Sequence, residues 1–501
     1  MTIARITVHP AFAIGPIDRR IFGSFVEHMG RCVYTGIYEP EHSTADADGF
    51  RGDVAELTRE LGTTIVRYPG GNFVSNYRWE DGVGPRDERP KRIDLAWRSL
   101  ETNHVGTDDF VRWTALTGTE PMIAINLGTR GPAEAADLVE YCNIAGGTTL
   151  SEQRRANGSD APHGIRLWCL GNEMDGPWQI GHRSADEYGR LASQTAQAMR
   201  RVDPTIELVA CGSSARDIAT FGEWERVVLE HTFDDVDYIS VHAYFQERDG
   251  DRASFLASGA SFEAFLHEVI ATADSVAAKR HSSKRIRLSV DEWNVWYMDR
   301  FVGETNLELT EKPRLIEDVY STLDAVVVGD LLTTLVRNAD RVGVACLAQL
   351  VNVIAPIMTE PGGEAWRQTT FFPIALLSQH AQGAALDARL DSPRLATMKY
   401  GEVDALSAAV VHNAEAGELV LAVTNRSSDI VTTSLEHDGF GVLELIEALT
   451  VRADDAGPRR TADEVADGAP RPFDGVTVGD RKTTMSLPAQ SWSLVRLRLL
   501  S

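Results

Sequence analysis

Eight short apolar runs constrain the fold of this chain more than any other feature. They lie at 21–28, 63–72, 122–128, 165–173, 207–214, 238–245, 286–293 and 344–352. Between most of them apolar residues recur at helical spacing, as at 53–62, 184–202 and 313–339. Strands that alternate with helices pair in parallel, so eight such units over roughly 360 residues predict an α/β fold, a (β/α)8 TIM barrel. A doubly wound open sheet is the alternative, which the absence of a glycine-rich phosphate loop after the first run disfavours.

The pattern changes after about Gln382, where helical spacing gives way to strict alternation. The stretches 405–428, 442–451 and 483–499 are typical of short strands and predict an all-β, jelly-roll-like sandwich. The N-terminal stretch 1–10 alternates in the same way and is predicted to join this sandwich. We therefore predict an N-terminal strand segment at 1–16, the barrel at 17–381 and the C-terminal β-sandwich at 382–501.

The charge balance indicates which partners to expect, and the cysteines indicate the cellular compartment. The chain has 501 residues, with 49 Lys and Arg against 73 Asp and Glu, a net charge of −24. Nucleic acids and anionic membranes select basic surfaces, so we expect neither as a partner. Five scattered cysteines without a C-x-x-C spacing predict a reducing compartment. The N-terminus lacks the apolar centre of a signal peptide, and we expect a cytoplasmic protein.

Polar residues end the apolar runs, at the end of the barrel where such folds place their sites. They are Glu27, His28, Arg67, Asn72, Asn126, Asn172, Glu173, Ser213, Ser214, His242, Tyr244, Asp291, Glu292, Gln349 and Asn352. Three of them are glutamates and only one is an arginine. Such a ring of hydrogen-bonding groups predicts a ligand rich in hydroxyl groups.

Paired carboxylates are the preferred interpretation of this ring. Metal binding is disfavoured because no H-x-H or H-E-x-x-H spacing occurs, and we predict no metal and no cofactor. A serine hydrolase is disfavoured because no G-x-S-x-G elbow occurs. Glu173 ends the fourth run and Glu292 the seventh, nearly opposite each other across a barrel mouth, as an acid and a nucleophile or base require. Asp291 precedes Glu292, so strand alternation predicts that it points to the other side.

Four long motifs, at 23–40, 66–85, 169–182 and 289–297, carry more information than the Asn-Glu pair alone. Together they resemble glycoside hydrolase family 51, the retaining α-L-arabinofuranosidases, and the resemblance covers essentially the whole chain. It implies that Glu173 is the general acid/base and Glu292 the nucleophile, with Tyr244 hydrogen-bonded to Glu292. It also implies that the sugar is bound by Glu27, Arg67, Asn72, Asn172, Tyr244 and Gln349. Three tryptophans, Trp97, Trp178 and Trp296, are candidates for the outer site.

The resemblance further implies an activity and an assembly. We expect exo-acting release of terminal α-L-arabinofuranosyl units from arabinan or arabinoxylan fragments, through a covalent glycosyl-enzyme, by a homohexamer. Two alternatives stay open: a preference for β-xylosides or for bonds inside a glucan chain, and a carbohydrate-binding or regulatory protein on an inherited barrel. The presence of both Glu173 and Glu292 disfavours the last, because binding alone does not require an opposed acid and nucleophile.

Overall fold

The computed structural model describes residues 2–301, 303, 308–457 and 468–500; the other positions of the predicted ranges lie outside the described residues. The strands, in chain order, are β1 (Thr2–Thr7), β2 (Ala13–Pro16), β3 (Gly23–Phe25), β4 (Ile65–Tyr68), β5 (Arg92–Ile93), β6 (Leu100–Glu101), β7 (Glu120–Ala124), β8 (Leu167–Leu170), β9 (Glu207–Ala210), β10 (Tyr238–Phe245), β11 (Arg287–Val295), β12 (Val342–Ala348), β13 (Ile357–Thr359), β14 (Ala365–Arg367), β15 (Ala384–Leu386), β16 (Arg389–Asp391), β17 (Arg394–Thr397), β18 (Gly401–Asp404), β19 (Leu406–Asn413), β20 (Glu418–Asn425), β21 (Val431–Glu436), β22 (Val442–Arg452), β23 (Arg471–Pro472), β24 (Val476–Val478), β25 (Lys482–Leu487) and β26 (Ser491–Leu500).

The α-helices are α1 (Gly52–Leu61), α2 (Thr107–Thr117), α3 (Pro132–Asn143), α4 (Thr149–Ala156), α5 (Ala185–Val202), α6 (Glu223–Thr232), α7 (Arg252–Leu256), α8 (Ser258–Lys279), α9 (Thr322–Arg337) and α10 (Phe371–His380). Local capping sets several of their starts. At α5 the Ser184 hydroxyl accepts a hydrogen bond from the Glu187 N–H, and the Glu187 carboxylate accepts one from the Ser184 N–H. This reciprocal pair satisfies two N–H groups that the first helical turn leaves free.

Strands β3, β4, β7, β8, β9, β10, β11 and β12 close a parallel barrel in chain order. They coincide with the eight predicted runs, so the barrel prediction is confirmed and the open sheet is excluded. All four residues of β8, Leu167–Leu170, are buried. A barrel strand packs on helices outside and on other strands inside, which explains why these runs are apolar on both faces.

Two large sheets form most of the strand-rich part of the chain, in the orders β16-β1-β21-β25-β24 and β2-β15-β19-β20-β26-β22-β23, and β17 and β18 form a separate two-stranded sheet. Strand β1 pairs in parallel with β21, and β2 pairs antiparallel with β15. Ile6 and Leu435 of the first sheet share one buried apolar cluster with Leu421 and Val495 of the second. The N-terminal segment therefore contributes strands to the C-terminal sheets, while the proposed boundaries at 16 and 381 stay a prediction.

Helix α9 joins the barrel to these sheets and is buried from Thr322 to Val336. At Gly329 an added Cβ would lie 2.6 Å from the Trp492 ring, so the sheet approaches the helix closely there. The Trp492 indole also donates to the Thr333 hydroxyl at 3.2 Å. Although α9 is almost wholly buried, none of the helices in the described ranges is long and apolar enough to cross a membrane.

The helical prediction for 313–339 was too long at its start. Helix α9 begins at Thr322, where the Asp324 carboxylate accepts hydrogen bonds from the Ser321 N–H at 2.7 Å and from its hydroxyl at 2.8 Å. The capping box fixes the start, and the apolar spacing before it belongs to irregular chain. Helices α4, α6, α7 and α10 lie in segments for which no helix was predicted.

Candidate active site

The carboxyl ends of the barrel strands surround a cavity of about 470 Å³. Small-molecule sites typically have volumes of about 300–1,000 Å³. Nine of the eleven predicted site residues line it, namely Glu27, Asn72, Trp97, Glu173, Trp178, Tyr244, Glu292, Trp296 and Gln349. Arg67 and Asn172 lie beneath the lining and hydrogen-bond to it. The structure therefore brings these eleven residues together at one end of the barrel.

Glu292, on β11, is held through both carboxylate oxygens. Arg67 Nη1 donates to Oε1 at 2.7 Å, and the Tyr244 hydroxyl donates to Oε2 at 2.7 Å, as the resemblance implies. Charge-assisted bonds to both oxygens fix the orientation of the carboxylate. Gly71 passes close by, since an added Cβ there would lie 2.9 Å from Oε1. A side chain at Gly71 would therefore displace Glu292.

Glu173 follows β8 after Gly171 and Asn172. Its φ of 44° lies in the left-handed region, which is unfavourable for a residue other than glycine and common at functional sites. The carboxylate accepts a hydrogen bond from Trp178 Nε1 at 2.6 Å, and Oε1 lies 2.9 Å from His242 Nδ1. Partners from a loop and from another strand thus hold this carboxyl in place.

His242, on β10, connects three carboxylates. Its Nδ1 lies 2.9 Å from Glu173 and 3.5 Å from Glu292, and its Nε2 lies 3.1 Å from Asp291. Burial alone would lower the pKa of His242, but the charge on Glu292 and the hydrogen bonds with Asp291 and Glu173 raise it well above its usual value. Three carboxyl groups therefore surround this buried ring. Its strand-end position marked it as a candidate, but nothing in the sequence pattern assigned it this role.

Asp291 belongs to the same network, contrary to the prediction from strand alternation. It contacts His242 at 3.1 Å, and its Oδ2 lies 3.7 Å from Arg67 Nε. The register between β11 and β12 shifts between Val290 and Trp293, and such an irregularity reorients successive side chains. Burial would raise the pKa of Asp291, but the charges of Arg67 and His242 bring it below its usual value.

Glu27, at the end of β3, is buried and has three hydrogen-bond partners. Its Oε1 accepts from the Phe73 N–H at 3.0 Å and from Trp97 Nε1 at 2.8 Å, and Gln349 Nε2 donates to Oε2 at 3.2 Å. Burial, reinforced by the charge on Glu292 and opposed by the Phe73 hydrogen bond, raises the pKa of Glu27 to about 8. A carboxyl that stays protonated at neutral pH avoids repulsion with Glu292.

Asn172 connects two strand ends beneath the cavity. Its Oδ1 accepts from Arg67 Nη2 at 2.7 Å, and its Nδ2 donates to Asn72 Oδ1 at 3.3 Å. Asn172 is buried, whereas Asn72 lines the cavity. The side-chain amide that precedes Glu173 therefore orients the arginine that holds Glu292.

The three predicted tryptophans lie at different depths. Trp97 is buried and donates to Glu27, so it positions that acid as well as lining the cavity. Trp296 packs edge-on against the Tyr244 ring, with the centroids 5.1 Å apart. Trp178 is 53% exposed. Of the three, Trp178 presents the most open ring to a ligand.

Asn126 and Asn352 also end barrel strands but do not line the cavity. Asn126 donates to the Tyr77 carbonyl at 2.9 Å, and Asn352 donates to the Arg31 carbonyl at 2.9 Å. Both amides satisfy loop backbone instead. A strand-end position thus identifies candidates, and the loop conformation decides which of them reach the site.

One ligand atom from each of Glu173, His242 and Glu292 lies within 4.8 Å of the others. Such a spacing is compatible with a metal ion, although no ligand motif in the sequence indicated it. His242 also contacts both glutamates directly, at 2.9 Å and 3.5 Å. The two carboxyls are close enough to act on one bond.

Comparisons with known proteins agree over the barrel and the sheets. Residues 57–254 match the α-L-arabinofuranosidase 1 domain, and residues 291–491 match the α-L-arabinofuranosidase C-terminal domain. The chain is 54% identical to an intracellular exo-α-(1→5)-L-arabinofuranosidase of Streptomyces lividans, over 99% of this chain and 75% of that protein. It is 51% identical to an exo-α-(1→6)-L-arabinofuranosidase of Bifidobacterium longum, over 99% of this chain and 97% of that protein.

The solved structures give the same result. A family 51 α-L-arabinofuranosidase from Bifidobacterium longum superimposes with a TM-score of 0.94 at 45% identity, covering 99% of this chain and 100% of that one. Sequence and fold agree over nearly the full length, and the chain belongs to glycoside hydrolase family 51, the α-L-arabinofuranosidases.

Proposed function

We propose that the protein is an exo-acting α-L-arabinofuranosidase that hydrolyses terminal arabinofuranosyl units with retention of configuration. Membership of the family supports the activity, and the closeness of Glu173 to Glu292 carries the mechanism. One oxygen of each carboxyl lies within 4.8 Å of the other. Retaining glycosidases hold their carboxyls about 5–5.5 Å apart, whereas inverting ones need about 6.5–9.5 Å to admit a water. The short separation therefore supports double displacement.

In the first step the Glu292 carboxylate attacks the anomeric carbon, and the bond to the leaving oxygen breaks. The protonated Glu173 gives its proton to that oxygen, so the leaving group departs as a neutral alcohol. Arg67 and Tyr244 hold the two oxygens of Glu292 and keep the attacking one aligned. The product of this step is an arabinosyl ester on Glu292.

In the second step a water attacks the same carbon, and the ester bond to Glu292 breaks. Glu173, now a carboxylate, takes the proton of the water. Two inversions restore the original configuration. Trp178 and His242 contact Glu173 and keep it in place while it acts first as acid and then as base.

We assign the arabinose hydroxyl groups to Glu27, Asn72, Asn172 and Gln349. Glu27, Asn72 and Gln349 line the inner part of the cavity, with Asn172 directly below. A protonated Glu27 both donates and accepts, as the amides do, which suits sugar hydroxyls. The set therefore binds a neutral sugar without adding the charge of an ionised Glu27 to that of Glu292.

The linkage distinguishes two classes of leaving group. The Streptomyces lividans relative is named for α-(1→5) bonds and the Bifidobacterium longum relative for α-(1→6) bonds. A pentose has no sixth carbon, so a 1→6 bond attaches arabinose to a hexose, whereas a 1→5 bond can join two arabinoses. Identities of 54% and 51% do not choose between them, and we propose arabinose-containing oligosaccharides as the substrate class.

We also infer a cytoplasmic homohexamer. The Streptomyces lividans relative is named as intracellular, which supports the location. The hexamer rests on the family resemblance of the sequence. Light scattering after size-exclusion chromatography tests it, and a monomer or dimer mass would contradict the assembly.

Proton NMR during hydrolysis of 4-nitrophenyl α-L-arabinofuranoside tests the proposed reaction. We expect α-arabinofuranose as the first-formed anomer, and the β-anomer would overturn retention. Product analysis with 1→5-linked arabino-oligosaccharides, a 1→6-linked arabinosyl hexose and arabinoxylan fragments then identifies the substrate. Faster hydrolysis of an aryl β-D-xyloside, or internal cleavage of a glucan, would favour the alternative activities.

A further inference from the structure

A hairpin of the strand-rich part reaches the active-site cavity. Strands β17 and β18 form a two-stranded sheet, and Lys399 and Tyr400 at its tip line the same cavity as Glu173 and Glu292. We propose that this tip binds the leaving-group sugar, the unit to which the terminal arabinose is attached. The inference rests on the proposed function, because it concerns the outer part of that site.

The base of the hairpin is fixed to the barrel by a buried ion pair. Arg426 donates to the Asp330 carboxylate of α9 through Nε at 3.0 Å and Nη2 at 2.7 Å, and through Nη1 to the Asp404 carbonyl at 3.0 Å. Arg426 is 3% exposed and Asp330 0%. Removing one member of a buried pair leaves an uncompensated charge, so this connection is strongly held.

The tip is tied to α7. The Lys399 N–H donates to the Ser254 hydroxyl at 3.0 Å, and the Ser254 N–H donates to Asp251, the N-cap of that helix, at 3.1 Å. Within the tip the Tyr400 N–H donates to the Thr397 hydroxyl at 3.0 Å. Backbone contacts therefore position the tip beside the cavity and leave the Lys399 and Tyr400 side chains free to line it.

The side chains of the tip suit a sugar. The Lys399 ammonium lies 5.3 Å from the centroid of the partly buried Tyr400 ring. An aromatic ring packs on the apolar face of a sugar, while an ammonium donates to its hydroxyls. Arg248 and Asp251 line the same part of the cavity, so both signs of charge are present. A neutral polyhydroxylated ligand fits this mixture better than an ion.

The geometry of the reaction points to the same part of the cavity. The terminal arabinose must lie between Glu173 and Glu292, near Glu27 on the inner side. The leaving sugar continues outward from Glu173, which protonates its oxygen. Because a single cavity extends from Glu27 to Tyr400, the next unit of the substrate lies within reach of the hairpin.

The test compares substrates that do and do not reach the tip. Values of kcat and KM are measured for Tyr400→Ala and Lys399→Ala on methyl α-L-arabinofuranoside and on the oligosaccharide that the wild-type enzyme prefers. We expect Tyr400→Ala to raise KM for the oligosaccharide about tenfold and to change the methyl glycoside less than about twofold. Met398→Ala is the matched control, because Met398 belongs to the same tip but is 79% exposed and outside the cavity lining. It should alter neither substrate.

Each outcome decides the proposal. If Tyr400→Ala lowered kcat/KM equally on both substrates, or did not lower it on the oligosaccharide, the proposal would be overturned. Tyr400→Phe keeps the ring and guards against misfolding, and it should retain most of the oligosaccharide activity. If the wild-type protein hydrolysed no arabinofuranoside at all, the proposed function would fail, and that result is distinguishable from a failure of the hairpin proposal alone.

Discussion

The cavity floor and the cavity rim differ in how their side chains are held. The floor, formed by Glu27, Arg67, His242, Asp291 and Glu292, is at most 6% exposed. Each of its members contacts at least two polar partners, and all but Glu27 belong to one charged network. Strand ends of one barrel supply the whole set, so the reacting carboxyls have little freedom to move.

The rim, formed by Trp178, Arg248, Lys399 and Tyr400, comes from two barrel loops and from the strand-rich part of the chain. Its side chains are exposed or partly buried, and Trp178 is 53% exposed. In the function proposed above, the barrel supplies the reacting groups, while the loops and the β17–β18 hairpin contact the leaving group. Loss of a floor residue should therefore affect all substrates, and loss of a rim residue only some.

The largest effect should come from Glu292→Ala. Without a nucleophile the double displacement has no first step, and we expect kcat to fall by about 10⁴-fold or more on every substrate. Hydrolysis of 4-nitrophenyl α-L-arabinofuranoside measures it, with thermal melting to check the fold. Glu27→Ala is the matched floor variant and should chiefly raise KM. An equal collapse of kcat in both would show that the binding carboxyl and the nucleophile had been confused.

The second-largest effect, that of Glu173→Ala, should depend on the leaving group of the substrate. Glu173→Ala should lower kcat by about 10³-fold on methyl α-L-arabinofuranoside, whose leaving group needs a proton, because general acid catalysis contributes about 10²–10⁴-fold. The first step on a 4-nitrophenyl substrate should be nearly spared, since nitrophenolate leaves unprotonated. A burst of nitrophenol followed by slow turnover is the expected trace. The absence of a burst, with the first step slowed equally on the two substrates, would contradict the acid/base assignment.

The floor was largely predictable from the sequence because strand ends carry it. Apolar runs identified all eight barrel strands, and the polar residue that ends each run marked Glu27, Arg67, Glu173 and Glu292 as neighbours in space. That inference needs only parallel pairing and the common direction of the strands. Strand order allows Glu173 and Glu292 to face each other, and the family resemblance selects these two from the three strand-end glutamates.

What could not be predicted depends on irregular backbone. Asp291 joins the network because the register of β11 shifts, which two-residue periodicity cannot reveal. The role of His242 depends on carboxylates from two other strands, Glu173 after β8 and Asp291 and Glu292 on β11, which meet around its ring. The hairpin tip at Lys399 lies more than a hundred residues from Glu173 and Glu292 in the sequence, and its contacts with α7 and the Arg426–Asp330 pair help to place it at the cavity.

His242→Gln tests whether the floor acts as one charged network. We expect a loss of about 10- to 100-fold in kcat/KM, similar to the loss of other residues that orient a reacting group. Removing a cation favours the protonated form of nearby carboxyls, so the bell-shaped pH profile should move to higher pH. If kcat/KM fell equally at every pH and the pH profile kept its position, His242 would have only a packing role.

Trp178→Phe should have a smaller effect, since it keeps the ring and removes one hydrogen bond to Glu173. We expect kcat to fall about three- to tenfold on substrates with poor leaving groups and less on 4-nitrophenyl arabinofuranoside. Trp296→Phe is the matched control, because its indole N–H has no hydrogen-bond partner among the described residues. It should leave the dependence on leaving group unchanged. Equal effects of the two variants would show that the hydrogen bond from Trp178 does not assist Glu173.

The smallest effect is on stability, and it again separates floor from rim. The pKa of Glu27 is raised to about 8 in the folded protein, from an ordinary value near 4.5. Between these values the unfolded chain releases this proton and the folded protein keeps it, so stability falls as pH rises. Glu27→Gln stays neutral, and its melting temperature should gain a few degrees on the wild type between pH 5 and pH 8. Asp217→Asn, at an exposed position of the cavity lining, should melt in parallel with the wild type at every pH. A constant difference between Glu27→Gln and the wild type over this pH range would mean that Glu27 is ionised throughout it, and its charge would then repel that of Glu292 at neutral pH.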